Sequence, residues 1–166
     1  MSFRYASLVS AMTIGYPAER MSEPKTVPAV LKEPDFLKML SWEVQRATRY
    51  QDFLSVGLIA VHDQSAPPSL ESREAVGRLF VDFLRGSDVV GSVGEALGVL
   101  LVHTPITDAV PIMRRVQQRI EEGAEGPRGA PAVRVSLRLG ISCFPTDGTN
   151  DAQLLSVARA RVGQVS

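Results

Sequence analysis

Residues 53–61, Phe-Leu-Ser-Val-Gly-Leu-Ile-Ala-Val, limit the fold more than any other segment. The run is almost continuously apolar and too brief for a helix of ordinary length, so it reads as a strand buried on both faces. Such a strand needs cover above and below, and its neighbours supply it. Upstream, Pro34 suits a first helical turn, and Phe36, Leu37, Leu40, Val44 and Ala47 recur at helical spacing through Tyr50. Downstream, residues 62–68 read as a loop punctuated by Pro67-Pro68. Ser69 then caps a second helix whose apolar stripe is Val76, Leu79, Phe80, Phe83 and Leu84.

Two short strands follow, residues 89–93 and 97–103, separated by Gly94-Glu95-Ala96 at hairpin spacing. Thr107 and Asp108 open a third helix with Val110, Met113, Val116 and Ile120 on its inner face, ended by a Gly/Pro loop over residues 123–131. Residues 133–143 alternate Val133, Val135, Leu137 and Leu139 with Arg134, Ser136 and Arg138, a period-two strand with one wet face. Residues 146–149 make a turn, and residues 151–162 a closing helix. Helical crossovers plus one hairpin imply an α/β (α+β) sandwich of ferredoxin-like type, a mixed sheet covered by helices. Pro17, Pro24 and Pro28 mark residues 1–33 as an N-terminal arm or linker ahead of a domain over 34–166, and residues 5–14 fit either a strand or a short helix.

Composition narrows the function. The 166 residues carry 18 Lys+Arg against 18 Asp+Glu, a balance that argues against nucleic-acid binding by bulk phosphate neutralisation. The apolar fraction of 45% is that of a globular chain. Cys143 is the sole cysteine, which excludes an intrachain disulfide and a cysteine-rich zinc site, and its apolar strand suggests burial rather than nucleophilic chemistry. His62 and His103 lack acidic or cysteine partners at ligand spacing, so no metal is expected. No apolar run is long enough to span a bilayer and no cleavable leader is evident, so a cytoplasmic setting without membrane insertion is expected.

Several segments together resemble GGDEF domains, the bacterial diguanylate cyclases. Residues 43–50, Glu-Val-Gln-Arg-Ala-Thr-Arg-Tyr, followed by Leu-Ser-Val-Gly-Leu-Ile at 54–59, are similar to that family's first helix and strand. Residues 84–90, Leu-Arg-Gly-Ser-Asp-Val-Val, resemble the approach to its hairpin. Residues 140–149, with Leu154-Leu155 after them, resemble its late strand, turn and last helix. The resemblance spans residues 34–166 and implies the nucleotidyl-cyclase palm fold, in which two GTP-loaded domains make cyclic di-GMP. It also implies a degenerate member. The name-giving turn is replaced by Val93-Gly94-Glu95-Ala96-Leu97, where only Glu95 offers a carboxylate. The family's metal-binding aspartate corresponds to Ala60, with His62 two residues on, and the stretch that would bind triphosphate and guanine is replaced by residues 62–68. Phosphoryl transfer needs divalent cations held by clustered carboxylates. The resemblance therefore implies lost cyclase activity, with no catalytic residue, no metal and no cofactor.

One family feature is retained in sequence. Arg85-Gly-Ser-Asp88 stands where GGDEF domains carry the Arg-x-x-Asp inhibitory site for cyclic di-GMP, and Arg115 falls where an arginine of the following helix joins that site, with Arg119 one turn on. Guanine presents paired acceptors, O6 and N7, to a guanidinium and donors, N1 and N2, to a carboxylate. The plainer alternatives are a helix-end ion pair for Arg85 and Asp88, a solvated helix face for Arg114, Arg115 and Arg119, and an exposed hairpin acid for Glu95. Arg49-Tyr-Gln-Asp52 meets the same pattern, so position alone distinguishes Arg85. The expected function is a cyclic di-GMP receptor that relays to a protein partner, with a homodimer as a further assembly. The alternative is a nucleotide-independent interaction or dimerisation scaffold, using residues 1–33, Trp42 or the Arg134/Arg138 face.

Overall fold

The computed structural model describes residues 29–63 and 68–164. Its elements run α1 (Glu33–Tyr50), β1 (Leu54–Asp63), α2 (Leu70–Phe83), β2 (Val89–Val93), β3 (Ala96–Val102), α3 (Ile106–Glu121), β4 (Val135–Phe144) and α4 (Asp151–Ala160). The strands form a four-stranded sheet in the order β2-β3-β1-β4. β1 lies inside it, antiparallel to β3 from Leu54↔Val102 to Ile59↔Leu97 and to β4 from Leu54↔Phe144 to Asp63↔Val135. The α+β sandwich expected from the pattern is present, but its four strands pair antiparallel throughout rather than as a mixed sheet. The crossover helices do return parallel strands, yet β3 separates β1 from β2 and β1 separates β3 from β4. Among the described residues the parallel contact is confined to the bridge Leu31↔Gly91, just before α1.

Burial on both faces of β1 follows from alternation. Leu54, Val56 and Leu58 join Phe36, Leu40, Val44 and Ala47 of α1 and Leu154 and Ala158 of α4 in one core. Ile59 and Val61 face the other way, into a core with Val76, Leu79 and Phe80 of α2 and Met113, Val116 and Ile120 of α3. Ser69 caps α2 as its position suggests, its Oγ accepting the Ser72 N–H at 3.0 Å. Among the described residues no helix is long and apolar enough to cross a membrane.

Several boundaries move, each for a visible reason. β1 continues through His62 to Asp63 because β4 pairs with it that far, so residues 62 and 63 of the expected loop belong to the strand, and residues 64–67 lie outside the described residues. Val93 pairs with Ala96, which shortens the hairpin loop to Gly94-Glu95. α3 begins at Ile106 and buries Ala109 where Val110 was expected, leaving Val110 half-buried. The wet face of β4 ends after Arg138: α4 covers the second half, where Ser142 Oγ donates to Leu154 O at 2.8 Å. Of the expected arm, residues 1–28 lie outside the described residues. Leu31 docks on β2, its N–H donating to Val90 O at 2.8 Å and its carbonyl accepting from Ser92 N–H at 2.9 Å.

The outer edge of β4 is closed by side chains and by the segment that follows α4. Leu137 N–H donates to Glu121 Oε1 at 2.6 Å and Leu137 O accepts from Gln117 Nε2 at 2.8 Å. Leu139 O accepts from Gly163 N–H at 3.1 Å, and Ile141 O from Arg161 Nη1 at 2.9 Å. These contacts occupy groups that would otherwise invite pairing with another strand.

One contact fixes α1. Gly91 and Gly98 are cross-strand partners, and the Phe36 ring lies on the bare patch they leave. A Cβ built at Gly91 would stand 2.6 Å from Phe36 Cδ2, and one at Gly98 2.5 Å from Phe36 Cζ. Two strand glycines thereby become the seat for a fully buried ring. Phe36→Ala is expected to cost about 3–5 kcal/mol in urea unfolding and Gly98→Ala about 1–3 kcal/mol by overpacking. The double variant should lose less than the sum, because removing the ring also removes the clash.

Candidate functional site

α2 stops at Phe83 and the chain turns through residues 85–88 into β2. Asp88 N–H donates to Arg85 O at 3.0 Å, and Asp88 Oδ2 accepts the Arg85 N–H at 3.2 Å. The carboxylate thus staples the turn and faces inward, its side chain only 1% exposed, while the Arg85 side chain is 63% exposed. Arg85 Nε stands 3.6 Å from Asp88 Oδ2, and Arg85 Nη2 donates to Thr104 Oγ1 at 3.3 Å. Thr104 is buried, donates to Val102 O at 2.9 Å, and through its carbonyl accepts Ser55 Oγ of β1 at 2.8 Å. A polar chain therefore links the central strand to the Arg85 guanidinium.

Asp88 Oδ1 is buried and completes no hydrogen bond among the described residues. Burial pushes the Asp88 carboxyl above its ordinary range. The Arg85 charge and the nearby Arg85 and Val102 N–H groups oppose that rise without cancelling it. A buried acceptor with an unused lone pair is a costly arrangement unless something else supplies the proton donor.

The helix-end ion pair that is the plain reading of Arg85 and Asp88 is thus present, with Arg85 left mostly in solvent. Arg119 sits with Cζ 5.1 Å from the centre of the Phe83 ring, two residues before Arg85, a cation–π contact that commits it to the end of α2. Arg115 is exposed on the same flank of α3 and makes no hydrogen bond or ion pair among the described residues. No described contact joins Arg115 or Arg119 to Arg85 or Asp88.

At the opposite end of the hairpin, Gly94 has φ +58° and Glu95 follows without a positive φ, as a type II′ turn requires. A Cβ at Gly94 would meet nothing within 4 Å, so glycine is needed there for its backbone angle and not for space. The β1–β3 register ends at Ile59↔Leu97, which sets Ala60 level with the turn. Glu95 and His62 are exposed, His62 standing opposite Ser136 of β4. Ala60 offers a methyl group where a metal ligand would be needed. Among the described residues no three His, Cys, Asp or Glu side chains converge as a metal site would require. The charged group that reaches the turn is instead a cation: Arg73 Nη1 donates to Gly94 O at 3.4 Å. The donor set does not fit a divalent metal.

Two clusters escaped the sequence. Asp52 accepts from Arg46 Nη1 at 3.2 Å and from Phe53 N–H at 2.8 Å, and its Oδ2 meets His103 Nδ1. Burial alone would raise Asp52, but these partners outweigh it and hold the carboxyl below its ordinary range. The Arg49–Asp52 spacing therefore leads to a different arginine, and His103 gains an acidic partner far away in sequence. Asp147 is gripped by Arg161 at 2.8 and 2.7 Å and accepts Cys143 N–H at 2.9 Å. Arg161 depresses the Asp147 carboxyl against the opposing effect of burial. Cys143 is buried, as its strand suggested.

No protein-family model and no curated protein matches the sequence. Solved structures do match. The GGDEF domain of YfiN (TpbB) from Pseudomonas aeruginosa aligns at 20% identity and TM-score 0.66, covering 80% of this chain and 88% of that one. The active GGEEF domain of a diguanylate cyclase from Vibrio cholerae aligns at 16% identity and TM-score 0.66, covering 81% and 90%. The diguanylate cyclase SiaD from Pseudomonas aeruginosa, solved with its activator SiaC, aligns at 20% identity and TM-score 0.56, covering 96% and 66%.

The carboxyls respond to pH with opposite signs. Asp88 has a folded value above its ordinary 3.8, so the folded state holds its proton more tightly and stability falls as pH rises from 3.8 through that value. Asp88→Asn should therefore match or exceed the wild type in urea unfolding at pH 7 and remove that decline. Asp147 has a depressed value, so its contribution is present at neutral pH and is lost as pH falls below 3.8. Asp147→Asn should cost about 1–2 kcal/mol at pH 7 and nothing at the acid end of the same titration.

Proposed function

Since the chain has the fold of GGDEF domains, we propose that it is a non-catalytic form of that fold that binds cyclic di-GMP at Arg85 and passes the signal to a protein partner. The observation that carries the reading is the Arg85–Asp88 turn. An exposed guanidinium, braced by Thr104, stands beside a buried carboxylate whose Oδ1 has no donor among the described residues. Guanine supplies both complements, acceptors O6 and N7 for the exposed Arg85 fork and donors N1 and N2 for Asp88, whose inward-facing carboxylate receives them once the guanidinium has moved off it. The long Arg85–Asp88 separation of 3.6 Å makes that displacement of the guanidinium inexpensive. Arg115 and Arg119 contribute positive charge for the phosphates from the flank of α3.

Loss of cyclase activity belongs to the same reading. With Ala60 at the strand and Glu95 alone at the turn, no pair of cations is held over a triphosphate, and phosphoryl transfer without them lacks its main charge stabilisation.

A second reading, an interaction scaffold independent of nucleotide, is favoured by exposed apolar groups. Trp42 is 37% exposed on α1 with Lys38 Nζ 5.4 Å from its ring centre, and Tyr50, Phe53 and Leu70 are also exposed. SiaD, solved with its activator SiaC, is one structural neighbour seen with a protein bound. Under that reading Trp42→Ala abolishes partner capture and Arg85→Ala leaves it intact.

Calorimetry with cyclic di-GMP separates the two. The receptor reading expects saturable binding that weakens by about 1–3 kcal/mol in Arg85→Ala, with little change in Glu95→Ala. Absence of heat at high ligand concentration contradicts it.

A further inference from the structure

His103 follows β3 directly and has φ +55°, in the left-handed region that is uncommon outside glycine, although histidine enters it more readily than most residues. Its side chain is 60% exposed, yet it is not loose. Nδ1 meets Asp52 Oδ2, and Asp52 is fixed in turn by Arg46 at 3.2 Å and by Phe53 N–H at 2.8 Å. Continuing the Leu54↔Val102 register sets Phe53 opposite His103, and Phe53 is 46% exposed. The core uses neither ring fully. The residue after His103 is Thr104, whose Oγ1 accepts the Arg85 guanidinium. An immobilised imidazole, an exposed phenyl ring and the Arg85 fork therefore gather at one end of the sheet.

We propose that His103, with Phe53 beside it, is the base-stacking wall of the Arg85 site, so that a guanine engaged along its O6/N7 edge by Arg85 lays its face on the imidazole. The proposal rests on the receptor reading above. Three features support it. Stacking on a ring held in place costs less ordering than stacking on a free one. Aromatic side chains are the usual surface on which bases lie. Strained backbone is retained where a fixed side-chain direction is useful.

The test is calorimetry with cyclic di-GMP on the full chain, paired with proton NMR of the guanine H8 resonance in the complex. Asparagine tolerates the left-handed backbone and its amide can still donate to Asp52, so His103→Asn removes the ring and little else. The expected result is about tenfold weaker binding, an unchanged thermal midpoint, and loss of the upfield H8 shift that the wild type produces. Phe53→Leu, which keeps an apolar group without the ring, should weaken binding less and reduce the H8 shift in part. If His103→Asn and Phe53→Leu bind like the wild type with the H8 shift intact while Arg85→Ala is impaired, the wall is overturned and the receptor reading stands. If Arg85→Ala binds like the wild type, or the wild type does not bind, both are overturned.

Discussion

The Phe36 ring resting on the Gly91–Gly98 pair sets the rest of the architecture. It locks α1 to the middle of the β2–β3 hairpin, and that hairpin has a candidate site at each end. One end carries the Gly94-Glu95 turn beside Ala60. The other brings the segment before β2, with Arg85 and Asp88, against Thr104 after β3. Because β1 pairs with β3 from Leu54 to Ile59, any slip of the hairpin would move both positions and turn its buried side chains to the wrong face. The seat accepts a flat ring only because neither strand residue has a Cβ, so three positions far apart in sequence answer to one packing constraint.

Such a scaffold is indifferent to what its turn displays. The two cores are made by alternate residues of β1 and by the inner faces of four helices, whereas Glu95, His62 and Arg85 are exposed. Exposed positions can change with little effect on stability. A likeness to active diguanylate cyclases at the level of fold is therefore compatible with a turn that has Arg73 on its carbonyl and, among the described residues, no clustered acids beside it. Function has to be argued from the side chains at each end and not from the fold. There the contrast is plain: cationic contact and a methyl group at the turn, a guanidinium and an under-satisfied carboxylate at the other end.

Much of this was legible in the sequence. The apolar run before Val61 announced a strand covered on both sides, Ser69 announced a helix start, and the spacing of Val93 and Leu97 announced a hairpin. Strand order was not legible, because helical crossovers indicate parallel strands without saying which strand lies between them; the sheet is antiparallel for that reason. Arg85 and Asp88 were found by position, but pattern could not show that the Asp88 carboxyl turns inward to staple its own turn. Thr104, Ser55 and the Asp52–His103 contact escaped because their partners lie on other elements. The positive φ of His103 likewise has no sequence signature, since any turn residue can be forced into it by its neighbours.

The non-catalytic reading rests on the turn between β2 and β3 being unable to hold a pair of divalent cations over a triphosphate. Incubating the full chain with GTP and either magnesium or manganese, and separating the nucleotides by chromatography, addresses that directly. GTP should be recovered unchanged, and no cyclic di-GMP should form with either metal. Metal-dependent formation of cyclic di-GMP that is lost in Glu95→Ala would contradict that reading.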